Sequence, residues 1–582
     1  MPLPRMLASR FAAAPARPSP APRATANRRI APRRSSPMIR AAAATDKSHD
    51  TEVVVIGAGI GGLCAGALLA KYGKKVTVVE AHDVPGGAAH SWHRDGFTFE
   101  SGPSLYSGMS RWPTTNPCGQ VLHALDEPLE CVYYNTWMCH LPEGSFLTEV
   151  GNDQFIDVLE KYVEDVDGIN AADEWRRLKE LMKPLAGASA ALPPSAVRTD
   201  PFAAVTLARF VPGLLKAAPV LPEIMAPYSK FLDKNEIKHP FIRNWMEVLC
   251  FLLSGAPATG TLAAEIGYMF DDWYRPNNTL EFPVGGSEAI VGALVRGLEK
   301  NGGRLMLKSR VEEILVTNGR ASGIKLRGGA VINASAAVIS NATVWDTLPM
   351  LPEAAKAGEH CGEDGAKRAA TREWVKKCED TEMCESFMHL HLGIDAAGLP
   401  DDLEIHHIYV EDWSKGVTAP QNMVLVSIAS VLDLTLAPDG KHVIHAYTPG
   451  NEPLDIWDGL DRNSDEYKRL KEERSQVLWR AVEKAIPDVR KRVEMSFVGT
   501  PLTQKRFQRR HRGTYGGTGW ITPETDTVPI TTASTPIDGL LCVGDSNFPG
   551  PGVPSVAAHG WSAAHELTSF WEQCKMLDKV AP

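Results

Sequence analysis

What this chain lacks narrows it before any motif is read. No stretch of its 582 residues reaches the roughly 18 uninterrupted apolar residues that a membrane-spanning helix needs. The ten cysteines include no C-x-x-C pair and no metal-like spacing. Neither a disulfide framework nor a zinc site is therefore expected, and the cysteines read as small buried hydrophobes in a reducing compartment. Acid is missing before Asp46, while the first forty residues hold nine arginines among many Ala, Ser and Pro. Such a stretch cannot bury a core and has the make-up of an organelle transit peptide. Residues 1–50 carry a balance of +8; taken from the chain's −9, this leaves −17 for the rest. An acidic body argues against nucleic acid as a partner.

What is present is organised around Thr51 to Gly87. Val53 to Ile56 is a short β-branched run, the pattern of a buried parallel strand. Gly57, Gly59 and Gly62 follow as G-x-G-x-x-G, with Gly61 inside the turn; then come a helix to Lys71 and a second strand ending on Glu80. Gly57 makes the tight turn, Gly59 lets the backbone approach a pyrophosphate, and Gly62 lets helix and strand pack closely. The helix N-terminus offers free N–H groups to the pyrophosphate, and Glu80 is spaced to accept from ribose hydroxyls. A glycine motif alone is weak; one that follows a strand, opens a helix and meets an acid at this interval is strong.

Residues 111–278 lack the strand–helix alternation and read as mainly helical, with helices expected over 155–163, 172–185 and 241–253. Pro201 to Leu232 is apolar and broken by four prolines, fitting short helices in a bilayer surface or in the core. From Thr279 the rhythm changes. Gly285-Gly286 leads into an amphipathic helix, then strands over 304–309, 311–316, 321–326, 330–333 and 336–340, with Asn318-Gly319 as a hairpin turn. A second insertion follows, with His389-Leu390-His391, His406-His407 and strands over 423–430 and 442–448. The histidine spacing, without a nearby Cys or Asp set, favours pocket-flanking strand histidines over a metal. Last comes TPIDGLLCVGDSNFPGPGVPS, a buried strand turning out at Gly544-Asp545 and re-entering a helix through Gly552-Val553. Asp545 is suited to bind a ribityl hydroxyl, and the helix N-terminus to face developing negative charge on a flavin.

Four stretches carry a family resemblance: VPGGAAHSWHRDGFTFESGPS, CESFMHLHLG, GTPLTQKRFQRRHRGTYG and GDSNFPGPGVP. The chain resembles carotenoid-isomerase-like flavoproteins of the phytoene desaturase and amine oxidase superfamily, beside prolycopene isomerases, bacterial-type phytoene desaturases and retinol saturases. The resemblance covers essentially everything after residue 50. It implies an α/β architecture: a Rossmann-like, GR2-type FAD domain assembled from 51–110, 279–345 and 535–582, with an α+β substrate domain from 111–278 and 346–534. It implies non-covalent FAD near Gly57, Gly59, Gly61, Gly62, Glu80, Gly86, Gly87, Gly102, Pro103, Ser104, Val311, Gly544, Asp545, Gly552 and Val553. Ile39-Arg40-Ala41-Ala42 resembles a chloroplast processing site, with mitochondrial import as the other option.

Two departures sharpen the reading. Ala88 and Ala89 stand where many amine oxidases carry an arginine, which moves the chain away from amine oxidation. Cys542 lies within a strand, and the motif that tethers flavin covalently is missing. The expected activity is cis-to-trans isomerisation of a carotenoid, poly-cis lycopene to all-trans lycopene, with reduced flavin lowering the order of a conjugated bond. Desaturation or saturation of a carotenoid or retinoid is the alternative. No acid–base pair is legible; His391, His407 and Tyr515 are candidates for the pocket, the histidines because their pKa permits exchange near neutrality. The partners implied are an apolar polyene and a peripheral membrane contact, and the compartment a plastid.

Overall fold

A computed structural model describes residues 50–198, 202–516, 533–547 and 550–580. The transit-peptide reading of 1–50 lies outside the described residues but for Asp50. The Thr51–Ile56 strand is almost wholly buried: Val53 and Val55 share a core with helix Ile60–Lys71, and Val54 and Ile56 one with Ile314, Ile324, Ile332, Trp345 and Leu348 on the other face. It lies between Val76–Val79 and Val331–Ser340, parallel to both. Arg304–Met306 extends the sheet on one side. On the other, Val331–Ser340 pairs with Arg320–Leu326 through its first half and with Leu540–Cys542 through its last. Val311–Thr317 closes the meander. Strands from three distant stretches of chain thus share one sheet.

The hairpin turn at Asn318-Gly319 has both residues in the left-handed region, φ 50° and 79°, as a two-residue turn matched to strand twist requires. One continuous strand, 331–340, replaces the two expected over 330–333 and 336–340.

The second sheet is mixed. Its order is Val493–Gly499, His389–Asp395, Lys441–Tyr447, Met423–Ser427, His406–Val410, Thr136–Leu141 and Gly144–Glu149. The last two fall in the stretch expected to be mainly helical, as does Cys131–Tyr134, which pairs with Leu280–Pro283 just beyond its end. Thr136–Leu141 and Gly144–Glu149 form a local hairpin whose short runs mix aromatic and polar residues. Thr136–Leu141 also pairs with His406–Val410, and this partner and that of Cys131–Tyr134 lie more than a hundred residues away, a signal that local periodicity does not carry. Most of the other described residues of 111–278 are helical, including Gln154–Tyr162, Ala171–Ser189, Pro240–Ser254 and Ala263–Trp273. Trp137, Trp175 and Trp245 are buried where these helices meet the second sheet. Pro201–Leu232 becomes four short helices, Ala203–Ala208, Val211–Ala217, Leu221–Ile224 and Tyr228–Lys234, beyond the undescribed residues 199–201.

Candidate active site

A cavity of about 690 Å³ opens between the parallel sheet and the second sheet. Its floor is glycine. Gly57 leaves its strand at φ 92°, a conformation that a side chain resists, and its N–H is held by the Val79 carbonyl at 2.7 Å. A Cβ on Gly62 would lie 2.2 Å from the Gly57 carbonyl oxygen, so helix Ile60–Lys71 packs on the turn only because position 62 has none. Gly62 accordingly sits behind the cavity wall, while Gly57, Gly59 and Gly61 line it. The second glycine pair docks onto this loop by backbone: Gly86 donates to Ala58 at 2.7 Å, and a Cβ on Gly87 would meet the Cα of Gly59 at 3.1 Å.

Glu80 lines the same cavity. Its carboxylate accepts from Ala58 N–H and His82 N–H, both at 2.8 Å, which pins the acid to the glycine loop. Val311 and its neighbours Ser309, Arg310 and Glu312 form the wall beside it. On the far side, Gly544 and Asp545 follow the Leu540–Cys542 strand, and Gly552 and Val553 open helix Val553–Glu566. Gly102 and Pro103 line the cavity between these ends.

Several lining residues were not foreseen from sequence. Asn341 follows the Val331–Ser340 strand, and its amide lies where Cβ atoms on Gly59 and Gly61 would come within 2.8 Å. Arg510 donates to Asp545 at 2.6 Å and to the Thr514 and Tyr515 carbonyls, tying the basic segment to the last glycine motif. Gln504, Gln508 and Arg509 line the wall from that segment too, which its basic character alone could not distinguish from a solvated loop. Opposite the glycine floor the lining turns apolar: Phe251, Leu252, Phe387, Leu425 and Tyr447, with Tyr515, which the sequence had offered as a pocket candidate. Tyr515 sits in a slot between two left-handed glycines, Gly255 and Gly450. Burial pushes its phenol well above the ordinary range, so it is a neutral wall.

Three expected positions fall elsewhere. Ser104 is buried behind the wall. His391 is covered by the Ser91–Glu100 hairpin: Trp92 and Phe99 meet its ring edge-on, and its Nε2 bonds the Glu100 carbonyl at 2.9 Å. His407 packs against His140 and the Glu404 carbonyl in the distant part of the second sheet. Burial holds both rings neutral, down to about 4. The histidine that does line the cavity is His389.

These features fit a bound dinucleotide: a cradle that Cβ atoms would fill, an acid fixed beside it, and helix N-termini at both ends. The model of an NAD(P)-binding Rossmann-like domain matches residues 55–116. A solved structure of an oxidoreductase from Methanosarcina mazei superposes with a TM-score of 0.55 at 17% identity, covering 87% of this chain and 98% of that one. Prolycopene isomerase 1, chloroplastic, of an Oncidium hybrid cultivar is 32% identical over 539 residues, 90% of this chain and 85% of its own. Prolycopene isomerase, chloroplastic, of Arabidopsis thaliana is 31% identical over 532 residues, 89% and 82%. The cofactor that this cradle holds is FAD, the one expected from the sequence, and none of the described lining residues is a cysteine. With near-complete coverage at this identity, the chain belongs to the prolycopene isomerase family.

Proposed function

We propose that the chain is an FAD-dependent cis–trans isomerase of a carotenoid, converting poly-cis lycopene to all-trans lycopene. The observation that carries this is one cavity with two chemistries: glycine loops and Glu80 at one end, an aromatic and aliphatic wall at the other. We assign the adenosine ribose to Glu80 and the adenine to the backbone at Val311. The pyrophosphate goes to the loops of Gly57, Gly59 and Gly61 with Gly86 and Gly87. Gly102 and Pro103 with Gly544, Asp545, Gly552 and Val553 flank the ring end. The bound flavin supplies, in its reduced form, electron density or a proton that lowers the order of a conjugated bond.

One part the chain itself plays is confinement. Phe387 meets Tyr515 edge-on at 4.8 Å between ring centres, and with Phe251, Leu252 and Leu425 they offer apolar surface to a polyene and exclude water from it. Arg510, anchored to Asp545 and to two carbonyls, keeps the Tyr515 segment in place.

Among the described residues no helix is long and apolar enough to cross a membrane. A peripheral contact fits better. Val205, Val211, Leu215 and Leu221 stand exposed on three short helices, and Phe202, at the start of this stretch, stacks on Phe570 beside the 73%-exposed Trp571. Such a surface suits the boundary of a bilayer in which an apolar substrate dissolves. The plastid is the compartment we propose, in line with the chloroplastic relatives.

The test is the FAD-loaded chain in liposomes with poly-cis lycopene under anaerobic reduction, products separated and weighed. A new isomer of unchanged mass is the expected result. A gain or loss of two hydrogens would overturn it in favour of a saturase or desaturase.

A further inference from the structure

A row of buried polar side chains crosses the face of the second sheet that looks into the cavity. Directly opposed residues on neighbouring strands share a face. Here His391 opposes His445, His445 opposes Ser427, and Ser427 opposes His406. His389 stands two residues before His391 on the same face and lines the cavity. At the far end His406 Nε2 meets the Tyr134 hydroxyl at 2.8 Å. None of these six side chains is more than 7% exposed.

Ring nitrogens of His389, His391 and His445 lie within 4.8 Å of one another, near enough to raise a three-histidine cation site. The ring planes argue against it. His391 and His445 lie nearly parallel, at 5°, with ring centres 4.5 Å apart, while His389 Nδ1 and His445 Nε2 face each other at 2.8 Å. An imidazole lone pair lies in the plane of its ring, so two nitrogens spent on each other and a third, parallel ring do not converge on one ion.

The hydrogen bonds instead form a directed chain. The Gln504 amide, which also lines the cavity, donates to His389 Nε2. His389 then carries its hydrogen on Nδ1 and donates to His445 Nε2 at 2.8 Å. That leaves His445 with a hydrogen on Nδ1, and among the described residues neither this nitrogen nor the Ser427 hydroxyl opposite has a partner. Turning the Gln504 amide over permits the opposite sense, in which every bond is also satisfied. The two senses differ by one proton moved between the cavity and the Ser427 end.

Resting on the isomerase reading above, we propose that His389 is the group through which the cavity exchanges a proton, with Gln504 as its gate and His445 as its positioning residue. When Gln504 swings aside, Nε2 of His389 faces the cavity. The reacting form carries hydrogen on both ring nitrogens. Burial disfavours that cation, which makes it a stronger acid than a free imidazolium. Its Nε2–H bond breaks as a C–H bond forms on one polyene carbon at the expense of one π pair. The positive charge left spreads along the chain, and the adjoining bond turns. A C–H bond on that carbon then breaks, its proton returns to Nε2, and the π pair is restored. No electron is gained or lost.

The experiment has two arms on the FAD-loaded full chain. In the first, histidine-selective 15N NMR reads the tautomers of the wild type and of Gln504→Glu, whose carboxylate can only accept from His389. The expected result is that His389 and His445 change together, from Nδ1–H to Nε2–H. A His445 signal that stays put would overturn the chain. In the second, poly-cis lycopene is isomerised in heavy water. Wild-type product should gain deuterium, while His389→Gln should lower both the rate and the label at least tenfold, with the flavin spectrum unchanged. All-trans product without deuterium would overturn the proton-exchange role even if the tautomers are coupled. If the wild type makes no isomer at all, the isomerase reading and the proton-exchange role both fail, and the first arm still decides whether the chain exists. Should His389→Gln not fold, Gln504→Leu removes the gate and is expected to raise the deuterium label per turnover; an unchanged label overturns the gating role.

Discussion

Gly62→Ala isolates the part of the site that depends on one missing atom. A Cβ there would lie 2.2 Å from the Gly57 carbonyl oxygen, with Asn341 Cβ at 3.0 Å closing the other side. Ordinary contact needs roughly 1 Å more, and the turn cannot retreat freely, because Gly57 N–H is bonded to Val79 at 2.7 Å. Overpacking of this kind costs about 1–3 kcal/mol. Alanine returns up to about 1 kcal/mol as a better helix former, so the global loss should be small. The turn that must move is the one lining the dinucleotide cavity, and 1–3 kcal/mol there corresponds to a loss of FAD affinity of about 5- to 150-fold. Gly66→Ala is the control: it lies one turn along the same helix, its Cβ meets a Val78 methyl at 2.8 Å, and it does not line the cavity. Titration of flavin fluorescence measures affinity, and urea melts of the apoprotein measure stability. The expected pattern is weak FAD binding with near-normal stability for Gly62→Ala, and near-normal binding for Gly66→Ala. Wild-type affinity in Gly62→Ala would refute the packing argument.

Arg510 and Asp545 form an ion pair with 13% and 20% side-chain exposure, so Arg510→Gln should cost about 2–3 kcal/mol. A double-mutant cycle with Asp545→Asn should give a coupling above about 1 kcal/mol; a value near zero would mean that solvent screens the pair. Acid should destabilise the fold early. Burial holds His391, His407 and His559 at about 4 and His406 and His565 at about 3, below an unfolded value near 6.5. As pH falls through 6.5 the unfolded state takes these protons first, so stability present above 6.5 is lost toward pH 4. Glu100 and Glu265, raised by burial to about 7 and 8, act in the opposite sense above pH 4.5. With His389 and His445 also held well below 6.5 by burial, the imidazoles outweigh these two carboxyls, and stability should fall as pH drops from 6.5 to 4.5; a flat urea midpoint across that range would contradict it. Leu215→Asp with Trp571→Asp should lower co-sedimentation with plastid-lipid vesicles at least tenfold without changing FAD content. Unchanged vesicle binding would place the contact elsewhere.

The turns and the glycine loops that line the cavity were legible because their requirements are local. Gly57 and Asn318-Gly319 need a left-handed backbone, Gly62 needs the missing side chain, and Glu80 sits at a fixed interval along one strand–helix–strand unit. Each of these leaves its mark within a few residues. The identity of the wall did not. His389 and His391 share a strand and a face, and nothing in HLH separates them. The hairpin at Ser91–Glu100, some three hundred residues away in sequence, covers one and leaves the other at the cavity. His406 and His407 are neighbours that a strand's alternation sends to opposite faces. In the stretch read as helical, Cys131–Tyr134 and Thr136–Leu141 have strand partners more than a hundred residues off. Periodicity and turn chemistry are properties of adjacent residues and so belong to the sequence. Which side chains meet across a cavity is set by the pairing of distant strands, and that was decided only when the chain folded.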